Sequence, residues 1–248
     1  MTKYCPRCGL ILTIIEETHR GLPWVGCACE VCGWAGKPLD ALSEPMLSAV
    51  KMPYVSIDLE TTGLDEDTCQ ILEIGAIYDD WTKPLAELPI YHRYVVHPFY
   101  RGQPYALALN SKILKRLSGD LDQLCLPPKD VAKDFAIWIR DTCGWRGGPD
   151  GDSRLTPAGK NFASFDKPFL NKLHEFTKVV KLAHRVLDPA IYYWRPLEDD
   201  KLPDTKTCLE RAGLTGGVAH TAVEDALAVV KLIRYGVHLQ HRTSCTAS

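Results

Sequence analysis

The residues predict an α/β domain built on a mixed sheet flanked by helices, preceded by a small cysteine-bearing β module. Three observations carry this. From Pro53 onward the pattern runs strand, strand, strand, then helix, and later alternates. Five of the ten cysteines fall between Cys5 and Cys32. At the start of the later region, Val55-Ser56-Ile57-Asp58-Leu59-Glu60-Thr61-Thr62-Gly63 is an apolar climb to two carboxylates one residue apart, Asp58 and Glu60, that stops at Gly63.

The N-terminal module is read from two C-x-x-C-G units, Cys5-Pro6-Arg7-Cys8-Gly9 and Cys29-Glu30-Val31-Cys32-Gly33, twenty residues apart. Leu10–Ile15 is β-prone, Arg20-Gly21-Leu22-Pro23 is turn-like, and Trp24-Val25-Gly26 follows, so a hairpin joins two cysteine knuckles. The C-x-x-C spacing lets two thiolates reach one tetrahedral ion, and glycine relieves crowding at each knuckle. The stretch resembles the zinc-ribbon family, with one structural Zn²⁺ on Cys5, Cys8, Cys29 and Cys32. Cys27 is an alternative ligand or a small buried hydrophobe; His19 is also near. The module is bounded at residues 1–36, and 37–52, with two prolines and no period, is a linker.

Within the main domain, 53–238, Tyr54–Asp58, Gln70–Tyr78 and Ile90–Val96 read as strands. Ser111–Leu117 and Val131–Thr142 read as helices, the second with Val131, Phe135, Trp138 and Ile139 on one face. Trp145–Gly159, rich in glycine, proline and aspartate, reads as a loop. A short element ends at Asn161–Phe165, Pro168–Phe176 is helical, His184–Leu187 is a strand, and Thr205–Ala212 and Ala222–Tyr235 are helices. Residues 239–248 read as a polar, disordered tail.

Composition bounds the function. A net charge of −2 argues against a wrapping or sliding protein whose nucleic-acid affinity is mostly counterion release, though not against an enzyme gripping a short strand through metals and local contacts. No apolar run approaches the roughly 18 residues that span a bilayer. The opening residues show no signal-peptide core, so a reducing cytoplasm, of a phage or bacterial host, is expected, with cysteines as thiols or metal ligands.

Asp58 and Glu60, at i and i+2 of a strand, share a face. Two like charges that close resist joint ionisation unless a cation lies between them. Asp166, after Asn161-Phe162-Ala163-Ser164-Phe165, stands at a helix start, where alone it reads as an N-cap. His220 precedes the last helix and Asp225 sits in it. Ala222, Ala226 and Val229 line the packing side and bring Asp225 toward the core, while Glu224 is rotated by about 100°.

Taken together, Asp58-x-Glu60, Asp166 and His220-x-Ala222-x-x-Asp225-Ala226 resemble the three motifs of the DEDDh (DnaQ-like) 3′→5′ exonucleases. Asp58-Leu59-Glu60-Thr61-Thr62-Gly63-Leu64, Ile71-Leu72-Glu73-Ile74-Gly75-Ala76-Ile77 and Phe165-Asp166-x-x-Phe169-Leu170 agree in order and spacing, over roughly residues 53 to 235. The resemblance implies an RNase H-like fold with a mixed five-stranded sheet. It implies two Mg²⁺ or Mn²⁺ ions ~3.5–4 Å apart, touched by Asp58, with Glu60 and Asp225 holding the ion that binds the attacking water and Asp166 supporting the second. His220 is then the general base, and the product is a nucleoside 5′-monophosphate from a free 3′ end, on a single strand of DNA or RNA. It further implies that Thr61, Thr62, Gly63 and Leu64 contact the terminal nucleotide, with Leu64 as a wedge. Phe165 is a stacking surface for a base, or, like Leu64, a core residue. Glu73 reads as a helper acid or a solvent-facing strand residue rather than a ligand. Many relatives carry His-Asn before the second-motif aspartate; here Lys160-Asn161 stands there with one extra residue before Asp166. Asn161 is a substrate-contact candidate, and Lys160 a phosphate contact or a surface lysine. The alternative function is a nucleic-acid or protein-binding module, in which the ribbon recruits a partner and the exonuclease fold is a scaffold.

Overall fold

The computed structural model describes residues 13–19, 22–28, 35–36, 52–83, 85–119, 121–145, 154–214 and 221–245. The expected zinc ligands Cys5, Cys8, Cys29 and Cys32 lie outside these residues, as do His220 and nearly all of the expected linker. The expected hairpin is present. Strands β1 (Thr13–His19) and β2 (Leu22–Ala28) pair antiparallel with His19 opposite Leu22, and β3 (Ala35–Gly36) pairs antiparallel with β2.

A second, five-stranded sheet forms the main domain. Strand β4 (Tyr54–Thr61) lies beside β5 (Ile71–Asp79), which lies beside β6 (Ile90–Val95), all antiparallel. Two short strands, β7 (Cys125–Leu126) next to β6 and β8 (Thr156–Ala158) next to β4, add parallel edges and give the order β7-β6-β5-β4-β8. The mixed sheet with flanking helices fits an RNase H-like α/β fold.

The period of two sorts the sheet into faces. Val55, Ile57 and Leu59 of β4 join Ile74, Ala76 and Tyr78 of β5 in one apolar cluster. Covering it are helix α3 (Pro128–Ile137), through Val131 and Phe135, and helix α4 (Asp166–Lys172), through Phe169 and Leu170. The opposite face carries Tyr54, Ser56, Asp58 and Glu60 of β4 and Glu73, Gly75, Ile77 and Asp79 of β5. Helix α8 (Ala222–Cys245) lies on it, packing Ala226, Val229, Val230 and Ile233 against Tyr54 and Ile77. Helices α1 (Pro104–Leu109) and α2 (Ser111–Leu117) meet end to end at Asn110. Short helices α5 (Phe176–Val179) and α6 (Ala190–Tyr193) and the capped helix α7 (Thr205–Ala212) complete the domain.

Helix α8 is pinned to β5 at two points. Near its start, the backbone of Ala222 sits against Gly75. Twelve residues later, buried Arg234 donates two hydrogen bonds to buried Asp79, at 2.6 and 2.7 Å. The Tyr54 hydroxyl and the Trp81 N–H also donate to Asp79, each at 2.8 Å. Twelve helical residues span about 18 Å and the strand from Gly75 to Asp79 about 14 Å, so helix and strand run side by side from one anchor to the other.

The structure corrects several expectations. Thr156–Ala158, expected within a loop, is strand β8: Pro157 lacks an N–H, which an edge strand tolerates. His184–Leu187 forms no strand, only an isolated bridge from Leu187 to Ala158. The helix expected over Pro168–Phe176 starts at Asp166 and breaks after Lys172, where Leu173 turns extended (ψ 139°); Glu175 then takes a left-handed conformation (φ 57°) before α5 begins. Helix α3 ends at Ile137, and Trp138–Thr142 winds into a π-helical turn. Helix α8 runs on to Cys245, through most of the segment read as a tail. Among the described residues, no helix is long and apolar enough to cross a membrane.

Candidate metal centre

Three carboxylates from two elements converge on the α8 face. Asp58, Glu60 and Asp225 bring oxygens within 4.8 Å of one another, each side chain half-buried. Strand periodicity delivers Asp58 and Glu60 together. At the next position β5 inserts an extra residue: Glu60 pairs with Glu73, but Thr61 pairs with Ile71. This bulge turns Leu72 toward Ile113 and Leu117 of α2 and ends the ladder beside the acids.

Asp225 is delivered by the start of α8. Thr221 caps that helix: its hydroxyl donates to Glu224 Oε2 at 2.6 Å and accepts the Glu224 N–H at 3.4 Å. Glu224 is thereby spent on the cap and stays exposed, while the next residue, about 100° around, faces the other acids. The close approach depends on Gly75, which lies opposite Asp58. A Cβ there would lie 2.2 Å from the Ala222 carbonyl carbon and 2.4 Å from the Val223 nitrogen, both backbone atoms with no room to yield. Gly75→Ala is therefore expected to push the first turn of α8 off the strand. It should destabilise the fold by about 1–3 kcal/mol. Thermal melting of the variant checks this.

Asp166 joins from a third element. It is the first residue of α4 rather than its N-cap, and its side chain leaves its own helix to accept the Leu59 N–H of β4 at 3.1 Å. Burial pushes its carboxyl above the usual range; hydrogen bonds from its own N–H and that of Leu59 pull the other way, and Glu60 adds to the rise. Asp58 is held well above the carboxylate range by burial first, then by Asp166, Asp225, Glu60 and Glu73. Burial, Asp225 and Glu73 raise Glu60 to about 7, against a hydrogen bond from Asn110 that favours its anion. Asn110, 4% exposed, also donates from Nδ2 to the Thr61 carbonyl at 2.9 Å and so holds the end of β4.

The charged groups that weigh most on Asp58 are thus all acids. Packed together without a cation, they resist ionisation, and oxygen-only donors of this charge fit Mg²⁺ or Mn²⁺. Protonated Glu60 stabilises the folded chain fully below its unfolded pKa near 4.5, and that contribution is lost as the pH rises through about 7. The metal-free protein is therefore expected to lose thermal stability over that interval relative to Glu60→Gln, which cannot ionise. Mg²⁺ should raise the wild-type melting temperature more at the top of the interval than at the bottom. A melting-temperature difference between the two proteins that stays flat across the interval contradicts this.

The remaining candidates sit at the margin. Thr61 donates from Oγ1 to the Gly63 carbonyl at 2.7 Å, and Thr62 accepts the Gln70 N–H at 2.8 Å. Both are buried, so their hydroxyls shape the turn. Leu64 is 74% exposed beyond it. Phe165 is half-buried and packs on Phe169, with ring centroids 5.3 Å apart. Asn161 adopts a left-handed conformation (φ 58°), donates its N–H to Asp188 at 3.0 Å and accepts from Ser164 Oγ. Lys160 lies 3.8 Å from the same Asp188 carboxylate. Glu73 is not solvent-facing as one expectation had it: it is 1% exposed. The signal for its burial was its setting, Ile71-Leu72-Glu73-Ile74, one acid in an otherwise apolar strand.

No protein-family model matches the chain, and no curated protein matches it. Solved structures do. The zinc-ion-bound complex of E. coli exonuclease I with single-stranded DNA is 15% identical with a TM-score of 0.53, over 77% of this chain and 42% of that one. E. coli exonuclease I in complex with a dT13 oligonucleotide is 16% identical with a TM-score of 0.52, over 79% of this chain and 43% of that one. The chain spans less than half the length of these neighbours. At this identity the likeness establishes a shared fold.

Proposed function

We propose that this chain is a metal-dependent 3′→5′ exonuclease that hydrolyses the terminal phosphodiester of a single strand and releases nucleoside 5′-monophosphates. The observation that carries the reading is the convergence of Asp58, Glu60 and Asp225 within 4.8 Å, with Asp166 bound to the same strand. The fold shared with exonuclease I, which has been seen with single-stranded DNA, supports it.

In this reading Asp58, Glu60, Asp166 and Asp225 hold two Mg²⁺ or Mn²⁺ ions. Bound there, such ions would supply a nucleophilic water and offset charge on the oxygens of the displaced phosphodiester. Asp58 would serve both positions, Glu60 and Asp225 that of the attacking water, and Asp166 the other. His220, assigned on its motif, takes the proton of that water as its oxygen bonds to phosphorus. The bond from phosphorus to the 3′ oxygen of the preceding nucleotide breaks, leaving a new 3′ hydroxyl. The backbone from Thr61 to Gly63 lies beside the terminal nucleotide. Leu64 is free to wedge against the last base, Phe165 offers a partly open ring to another, and Asn161 is a peripheral contact.

The N-terminal three-stranded sheet is proposed to carry one structural Zn²⁺ on Cys5, Cys8, Cys29 and Cys32, and to capture substrate or a protein partner. Matched DNA and RNA oligonucleotides, with products resolved by mass, test the central assignment and identify the sugar preferred. Stepwise loss of 5′-monophosphates from one class or both is expected. Products bearing 3′-phosphates, or intact strands under Mg²⁺ and Mn²⁺ alike, overturn it; intact strands that remain bound favour a binding module.

A further inference from the structure

Beyond the four acids assigned to metal, a fifth carboxylate is buried beside them with no role yet. Glu73 lies opposite Glu60 in the β4–β5 ladder and two residues before Gly75. Burying an anion next to other anions is unfavourable unless it is paired. Both its oxygens are occupied. Oε1 is 2.6 Å from His92 Nε2, across the neighbouring strand β6. Oε2 accepts the Ala222 N–H, the first of the 24-residue helix α8, at 3.3 Å. Glu73 is not among the side chains whose oxygens cluster within 4.8 Å, so its geometry is that of a brace rather than a ligand.

The grip falls where it matters for Asp225. Ala222 is the residue that Gly75 lets onto the strand, and the Asp225 N–H bonds back to the Thr221 carbonyl in the same turn. A carboxylate at a helix N-terminus is attracted by the unpaired N–H groups there. His92 is half-buried, tilted against Tyr94 with ring centroids 4.8 Å apart, and restrains the other end of the carboxylate. We propose that Glu73, braced by His92, is a positioning residue that fixes the first turn of α8, and with it Asp225, against the strands carrying Asp58 and Glu60. This rests on the metal-centre reading above.

Calorimetric titration of Mn²⁺ into the full chain tests it, using wild type, Glu73→Gln, His92→Gln and the double variant, with melting temperatures measured alongside. Glutamine keeps the length and an acceptor for Ala222 but loses the charged partner of His92. Partners that orient metal ligands typically contribute 10–100-fold in metal affinity. Each single variant is expected to weaken Mn²⁺ binding by about 10-fold, and the double variant no more than the stronger single one, because the two residues act as one brace. Additive losses in the double variant would overturn the proposal. So would wild-type Mn²⁺ affinity in either folded single variant, including one whose only defect is a lower melting temperature. If Glu73→Gln fails to fold, His92→Gln decides alone: about a 10-fold loss supports the brace and none rejects it. A wild-type chain that binds no Mn²⁺ instead sinks the metal-centre reading itself, and this inference with it.

Discussion

Asp58→Asn is expected to lower turnover on the order of 10³-fold, about 4 kcal/mol of transition-state stabilisation, while the metal-free variant melts at a higher temperature than wild type. The two effects share one cause. Asp58 is half-buried among four other acids, and their field makes its anion unfavourable until a cation arrives. Removing the charge relieves the strain of the empty centre and removes the oxygen proposed to serve both metal positions. The opposite signs discriminate between readings. A residue that merely stabilised the fold would lose stability and activity together, whereas a ligand in an acidic cluster gains one as it loses the other. Melting curves in EDTA and in Mg²⁺, with single-turnover rates, measure both signs. A fully active Asp58→Asn protein would place the chemistry elsewhere.

Arg234→Met is expected to produce the largest loss of stability, about 3–5 kcal/mol. Arg234 is 2% exposed and Asp79 fully buried, and the arginine neutralises the aspartate through two hydrogen bonds. Without it, Asp79 keeps its bonds from Tyr54 and Trp81 but is left as a buried anion with no counter-charge. For a domain of this size the melting temperature should fall by roughly 10 °C. The pair is not expected to be worth that much relative to an apolar replacement. A double variant, Asp79→Leu with Arg234→Met, should recover much of the loss, since the desolvation penalty of both ions disappears. Chemical denaturation of the single and double variants measures this. A double variant as unstable as the single one would mean that the hydrogen bonds, rather than the unpaired charge, dominate.

What was legible in the residues follows from which interactions are local. Asp58 and Glu60 share a face because strands alternate, and that needs only spacing two apart. Asp225 rather than Glu224 faces inward because Ala222, Ala226 and Val229 fix the helix phase, and Thr221 with Glu224 explains where the other acid goes. Asp166 was legible as a motif residue, but its geometry was not: whether it caps its own helix or reaches Leu59 depends on how α4 packs on β4. The His92–Glu73 contact and the Arg234–Asp79 latch are separated by 19 and 155 residues and left no local pattern. Strand β8 was hidden by its composition, because Thr156-Pro157-Ala158 carries the marks of a loop and becomes a strand only by pairing with Tyr54–Ser56.

The proposed carboxylate centre acts at one end of a strand. The most direct test is a single-stranded oligonucleotide labelled separately at its 5′ and 3′ ends, incubated with the full chain in Mg²⁺, in Mn²⁺ and in EDTA. A descending ladder of 5′-labelled fragments and immediate release of the 3′ label as mononucleotide are expected, in metal only and lost with Asp58→Asn. Release of the 5′ label first, cleavage within the strand, or undiminished shortening in EDTA would contradict it.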